Sequence, residues 1–155
     1  GTFGSNFMTY DLSRFINAQQ DTYASALSEL RAGCKRGHWM WFIFPQLRGL
    51  GHSETSRFYG IANIVEATAY LQHPILGHRL IECTNAVLRL GDISLRHLFG
   101  SPDNLKFISS MTLFSLIAGT PDVFDKALVK FNDGKPDPVT IRLSVELDES
   151  KCSSP

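Results

Sequence analysis

Lys106, Ser109 and Ser110 stand three and four residues apart. On a helix that spacing sets an ammonium beside two small hydroxyls, which together can hold a phosphate or polarise an oxygen. Using either serine as a nucleophile would further require a short contact to the lysine and a lowered lysine pKa. Plain packing is the competing explanation, because serine and threonine hydroxyls in helices return hydrogen bonds to backbone carbonyls. Thr112 extends the same set.

A second concentration of chemistry runs from Arg31 to Arg57. Arg31, Lys35, Arg36, Arg48 and Arg57 face only Glu54, and His38 and His52 lie among them. Trp39 and Trp41 offer flat faces, on which a stacked base gains about 1–3 kcal/mol. Arginine adds a planar fork for phosphate or carboxylate, and Gln46 adds an amide. The competing explanation is a core tryptophan pair flanked by a solvated basic turn. Downstream, Gly49-Leu50-Gly51-His52-Ser53 can bring backbone N–H groups to an anion ahead of a helix start, although it matches no phosphate-loop fingerprint.

Glu66 and Tyr70 share a helix face, and His73 follows. A glutamate aimed into a pocket can serve as a general base; an exposed carboxylate is the ordinary alternative. The five histidines show no H-x-x-x-H spacing or other metal-site signature, and no cofactor is expected. The leading expectation is therefore a domain that binds or hydrolyses a small anionic, nucleotide-like ligand. Trp39, Trp41, Gln46, Ser53, Lys106, Ser109 and Ser110 would form the binding site, with Glu66 as the acid/base candidate. The alternative is a non-enzymatic module that docks a protein through the basic Arg31–Arg57 region.

These residues need elements to position them. With 155 residues, 43% hydrophobic and 19% charged, the chain is expected to fold as one packed globular domain. Fifteen basic and fifteen acidic side chains cancel, which argues against duplex nucleic acid as a partner. No apolar run reaches the roughly 18–20 residues of a membrane span. Three cysteines, with no C-x-x-C pair, fit reduced thiols in a cytoplasmic protein better than a secreted disulfide framework. Residues 1–7 are expected to be an expression remnant, residues 8–146 a single helical domain, and residues 147–155 a mobile tail.

Periodicity and punctuation predict a succession of short helices. Asp11 opens the first, Gln19-Gln20-Asp21 interrupts it, and Gly33 ends the second. Trp39 to Phe44 is too short for its period to decide between strand and helix. No partner strands appear elsewhere, so a short buried helix or irregular core segment is expected. Further helices are expected from Ser53, over Asn63–Gln72, from Pro74 to Gly91, over Ser94–Phe99 and from Ser101-Pro102-Asp103 to Gly119. Two more follow, from Thr120-Pro121 to Gly134 and from Asp137-Pro138 to about Leu143.

The segments His38-Trp39-Met40-Trp41-Phe42-Ile43-Phe44-Pro45-Gln46 and Gly49-Leu50-Gly51 resemble the domain of unknown function 1810 family. So do Tyr59-Gly60-Ile61, His73-Pro74, Lys106-Phe107 and Ser109-Ser110-Met111-Thr112-Leu113-Phe114. The resemblance covers Asp11 to about Leu143 and implies an all-α, multihelical single domain around a short buried central helix, a place Trp39–Phe44 would fill. Some members bear the label calpastatin. That inhibitor is a disordered polar chain, whereas this composition requires a packed core. No established chemistry comes with the resemblance.

Overall fold

Helix boundaries follow from caps that the chain writes locally. Ser53, Asn63 and Ser94 each sit in extended backbone, and each side-chain oxygen accepts the N–H three residues on, from Ser56, Glu66 and His97. These bonds satisfy donors that a helix start otherwise leaves orphaned. At the other end, Gly33 takes a left-handed φ of 77° and closes the second helix onto Glu29 and Leu30.

The computed structural model describes the backbone of residues 10–153. It contains α1 (Ser13–Gln20), α2 (Tyr23–Ala32), α3 (Met40–Ile43), α4 (Glu54–Tyr59) and α5 (Ile64–Gln72). These are followed by α6 (Leu76–Arg89), α7 (Leu95–Phe99), α8 (Asp103–Ser115), α9 (Val123–Asn132) and α10 (Pro138–Ser153). The chain is thus a single all-α domain with ten helices among the described residues. The expected remnant at residues 1–7 lies outside them. The terminal helix is longer than the sequence spacing predicts. Leu143 and Leu147, four residues apart, both pack against the core and carry the apolar stripe one turn further.

Trp39–Phe44 does form a short buried helical segment, with Trp39, Met40, Ile43 and Phe44 all in the core. Against it lies α8, in which every residue from Phe107 to Phe114 is buried. A helix that is buried all round needs partners on every side, and α5, α7, α9 and α10 supply them. Edge-on aromatic contacts join the two segments: Phe44 meets Phe107 at 5.0 Å and Phe99 at 5.9 Å between ring centroids.

After Pro45 the chain runs extended and pairs with residue 61. Ile61 N–H donates to the Gln46 carbonyl at 2.9 Å, and Arg48 N–H donates to the Ile61 carbonyl at 2.8 Å. This isolated parallel bridge between Leu47 and Ile61 fixes the loop that carries Gln46, Leu50 and Gly51. Gly60 permits the approach, since a Cβ there would lie 2.7 Å from Arg48 Cα.

Candidate functional site

Trp41, Gln46, Leu50, Gly51, Pro102, Leu105, Lys106, Ser109, Asp137 and Val139 line one open cleft of about 400 Å³. Three separate stretches build it: α3 with the loop after it, the first two turns of α8, and the start of α10. Lys106 and Ser109, three residues apart, face it from one side of α8. The Lys106 ammonium lies 3.7 Å from the centroid of the Trp41 ring, a close cation–π contact. Leu105, 63% exposed, and Val139 form an apolar rim.

Behind Lys106 stands a partly buried charge relay. Asp103 accepts from Lys106 at 3.3 Å through one carboxylate oxygen, and its other oxygen pairs with Lys35 at 2.9 Å. The Lys35 side chain is only 7% exposed and also lies 5.1 Å from the Trp39 ring centroid. Two lysines share one carboxylate, and each covers a tryptophan.

Gln46 is 9% exposed. Its backbone carbonyl is used by Ile61, but among the described residues its side-chain amide makes no hydrogen bond with protein. Asp137 was not singled out by sequence as a site residue; it reads there only as a helix cap. Its Oδ2 accepts from Thr140 N–H at 3.1 Å and Thr140 Oγ1 at 2.6 Å, and shares the Ser109 hydroxyl, at 3.2 Å, with the Leu105 carbonyl at the same distance. Its own N–H donates to Thr112 Oγ1 at 2.8 Å.

Of the residues expected from sequence to form a site, the fold gathers Trp41, Gln46, Lys106 and Ser109 in this cleft. It places the others elsewhere. Trp39, 1% exposed, presents no face to a ligand and donates its indole N–H to Glu29 at 2.9 Å. Ser110 is fully buried, its hydroxyl without a hydrogen-bond partner among the described residues; it lies about 100° further round α8 than Ser109 and so turns away from the cleft. Ser53 caps α4 and is not among the cleft residues. Glu66 is buried, pairing with Arg14 at 3.1 Å and accepting the Ala62 N–H at 2.7 Å. That is the work of a helix-start brace.

Within the basic Arg31–Arg57 segment, Arg31, Arg36, Arg48 and Arg57 are exposed. Lys35 is held in the relay with Asp103, Arg48 donates to the Gly60 carbonyl at 3.1 Å, and Arg31 approaches Glu82 at 4.0 Å. A larger, shallower depression of about 580 Å³ lies between the end of α2 and the α6–α7 loop, lined by Gly33, Asp92, Ile93, Ser94 and His97. The Ser94 hydroxyl there is already occupied as a cap. Elsewhere, burial pushes the Cys83 thiol up to about 12 despite the Tyr23 hydroxyl beside it, so it is not a nucleophile at neutral pH. Among the described residues no group of three His, Cys, Asp or Glu side chains could hold a metal ion, and no helix is long and apolar enough to cross a membrane.

Known proteins extend this picture. No curated protein matches the chain. Among solved structures, the chain is similar to the conserved hypothetical protein Rv1873 from Mycobacterium tuberculosis. The two are 50% identical, with a TM-score of 0.86 over 88% of this chain and 97% of that one. The family described as protein of unknown function DUF1810 matches residues 9–144, a span that contains every residue lining the cleft. The chain belongs to the DUF1810 family.

Proposed function

We propose that this domain binds a small anionic, nucleotide-like ligand in the cleft formed by Trp41, Gln46, Lys106, Ser109 and Asp137. The observation that carries the proposal is the convergence on one cleft of the Lys106 ammonium, the Trp41 ring and the Gln46 amide, which makes no hydrogen bond to protein among the described residues. The amide faces the cleft with donors and an acceptor that the described residues do not use, so a ligand can hydrogen-bond to it in both senses.

The charge relay suits an anion. Lys106 already makes a shared contact to Asp103. An incoming phosphate can take the Lys106 donors while Asp103 keeps its 2.9 Å partner in Lys35. Neither charge is then stranded, which is the costly outcome for a partly buried ion. The flat part of the ligand would rest on the remaining surface of Trp41 and the rim of Leu50, Leu105 and Val139. With Lys106 over its ring, Trp41 does not offer two free faces for stacking.

With Glu66 committed to Arg14 and to the Ala62 N–H, the geometry supports binding further than hydrolysis. Thermal unfolding with a panel of nucleotides and sugar phosphates tests this. A ligand at 100 times its Kd adds about 2.7 kcal/mol, which raises the Tm of a domain of this size by roughly 5–10 °C. Lys106→Met, which removes the charge and keeps the stem over Trp41, should abolish the rise. A flat panel, or an undiminished rise in the variant, would overturn the proposal.

A further inference from the structure

Capping a helix takes one oxygen. In this chain a single serine hydroxyl does that work at Ser53 and again at Ser94. Asp137 does it for α10 with Oδ2 alone, which gathers the Thr140 N–H, the Thr140 hydroxyl and the Ser109 hydroxyl. Its Oδ1 accepts nothing from protein among the described residues, and the residue lines the same cleft as the unpartnered Gln46 amide. The backbone bond to Thr112 and the two Thr140 bonds on Oδ2 hold this second oxygen in place. The cap therefore leaves one fixed carboxylate oxygen over.

Ionised carboxylates only accept hydrogen bonds, and ammonium groups only donate them. The cleft thus asks opposite things of its occupant at two points. The portion near Lys106 must bring acceptors, and the portion near Asp137 must bring donors. A second anionic group beside Asp137 would be repelled. With both Thr140 donors, and a share of the Ser109 hydroxyl, already drawing charge onto Oδ2, neutral hydroxyl donors match the remaining oxygen better than a second full cation does.

Resting on the nucleotide-like reading of the cleft, we infer that Asp137 is a hydroxyl-reading residue and that the ligand class is a phosphorylated sugar with free ring hydroxyls. That sugar phosphate stands either alone or as part of a nucleotide. A carboxylate that accepts from ribose hydroxyls is a recurring solution in nucleotide sites of other folds, and here it is assembled from a helix cap.

The test is calorimetric titration of adenosine 5′-monophosphate against its 2′,3′-dideoxy counterpart, with ribose 5-phosphate against 2-deoxyribose 5-phosphate as the second arm. Wild-type protein should prefer the hydroxylated member of a pair by about 10- to 100-fold, the range of a hydrogen bond to a charged group. Asp137→Asn and Asp137→Ser should both retain the α10 cap and a near-native melting temperature, and both should reduce that preference to within about threefold. Preference in both pairs assigns recognition to the phosphorylated sugar; preference in the nucleotide pair alone adds the base to the ligand. Equal affinity within each pair in the wild type overturns the role of Asp137 and leaves the cleft as an anion site. A preference that persists in both variants does the same. No binding of any of the four probes overturns the cleft as a nucleotide-like site as well.

Discussion

Trp39 and Trp41 are two residues apart, and the short helix between them sends one into the core and the other to the cleft. Glu29 fixes the first. Its carboxylate receives the Trp39 indole N–H and the backbone N–H groups of Arg36 and Gly37, at 2.7 to 2.9 Å. Burial on its own raises the Glu29 carboxyl. The donors from Gly37, Arg36 and Trp39, helped by the Lys35 charge, outweigh it and hold the carboxyl below its ordinary value of 4.5. Because the folded pKa is the lower one, the stabilisation is fully present above the ordinary value and is lost as pH falls through the folded value. Glu29→Gln should therefore lower stability at pH 7 by about 1 kcal/mol. That difference should shrink towards zero in denaturant titrations below pH 4; a gap constant with pH would contradict the assignment. At this scale Lys106 and Ser109 were legible, because helical spacing alone puts them on one face. Asp137 was not, because sequence reveals a cap residue and cannot reveal which of its two oxygens the cap consumes.

Helices here meet closely where a side chain is missing. At Gly77 in α6, a Cβ would sit 1.9 Å from the Leu71 carbonyl oxygen of α5. That clash is with backbone, so the α5–α6 pair must separate to accept it. Gly77→Ala should cost about 2–3 kcal/mol or more and depress the Tm by roughly 4–12 °C. Gly91→Ala is the matched control, since nothing lies within 4 Å of its Cβ position and its φ is not positive; it should leave stability near wild type. Equal effects from the two substitutions would show that close helix approach is not the cause. The elements themselves were largely readable. Gly33, Ser53, Ser94 and Gly100 mark boundaries through local backbone chemistry, which sequence carries directly. The length of α10 was not readable, because it depends on where Leu147 lands against other helices, a tertiary outcome. The Leu47–Ile61 bridge was hidden for the same reason, being one long-range pairing with no strand pattern around it.

Across the molecule, the aromatic packing and the cleft share parts. Phe44 and Phe107 lock α3 onto α8, and the same two helices carry Trp41 and Lys106 to the cleft. Residues that belong to the core by burial thus set the geometry of residues that remain reachable. The all-α architecture could be read from hydrophobic period and punctuation. Which of seven candidate binding residues converge could not, because α3, α8 and α10 are separated by tens of residues and meet only in the folded chain. The most direct measurement of the central claim is a two-dimensional NMR titration of the protein with adenosine 5′-monophosphate, following the side-chain N–H signals. The cleft predicts that the Trp41 indole and Gln46 amide signals, with the Ser109 and Asp137 backbone signals, move together and saturate. The Trp39 indole, held by Glu29 in the core, should stay in place. Unmoved Trp41 and Gln46 signals, or shifts confined to Gly33, Asp92 and His97 around the other depression, would contradict it.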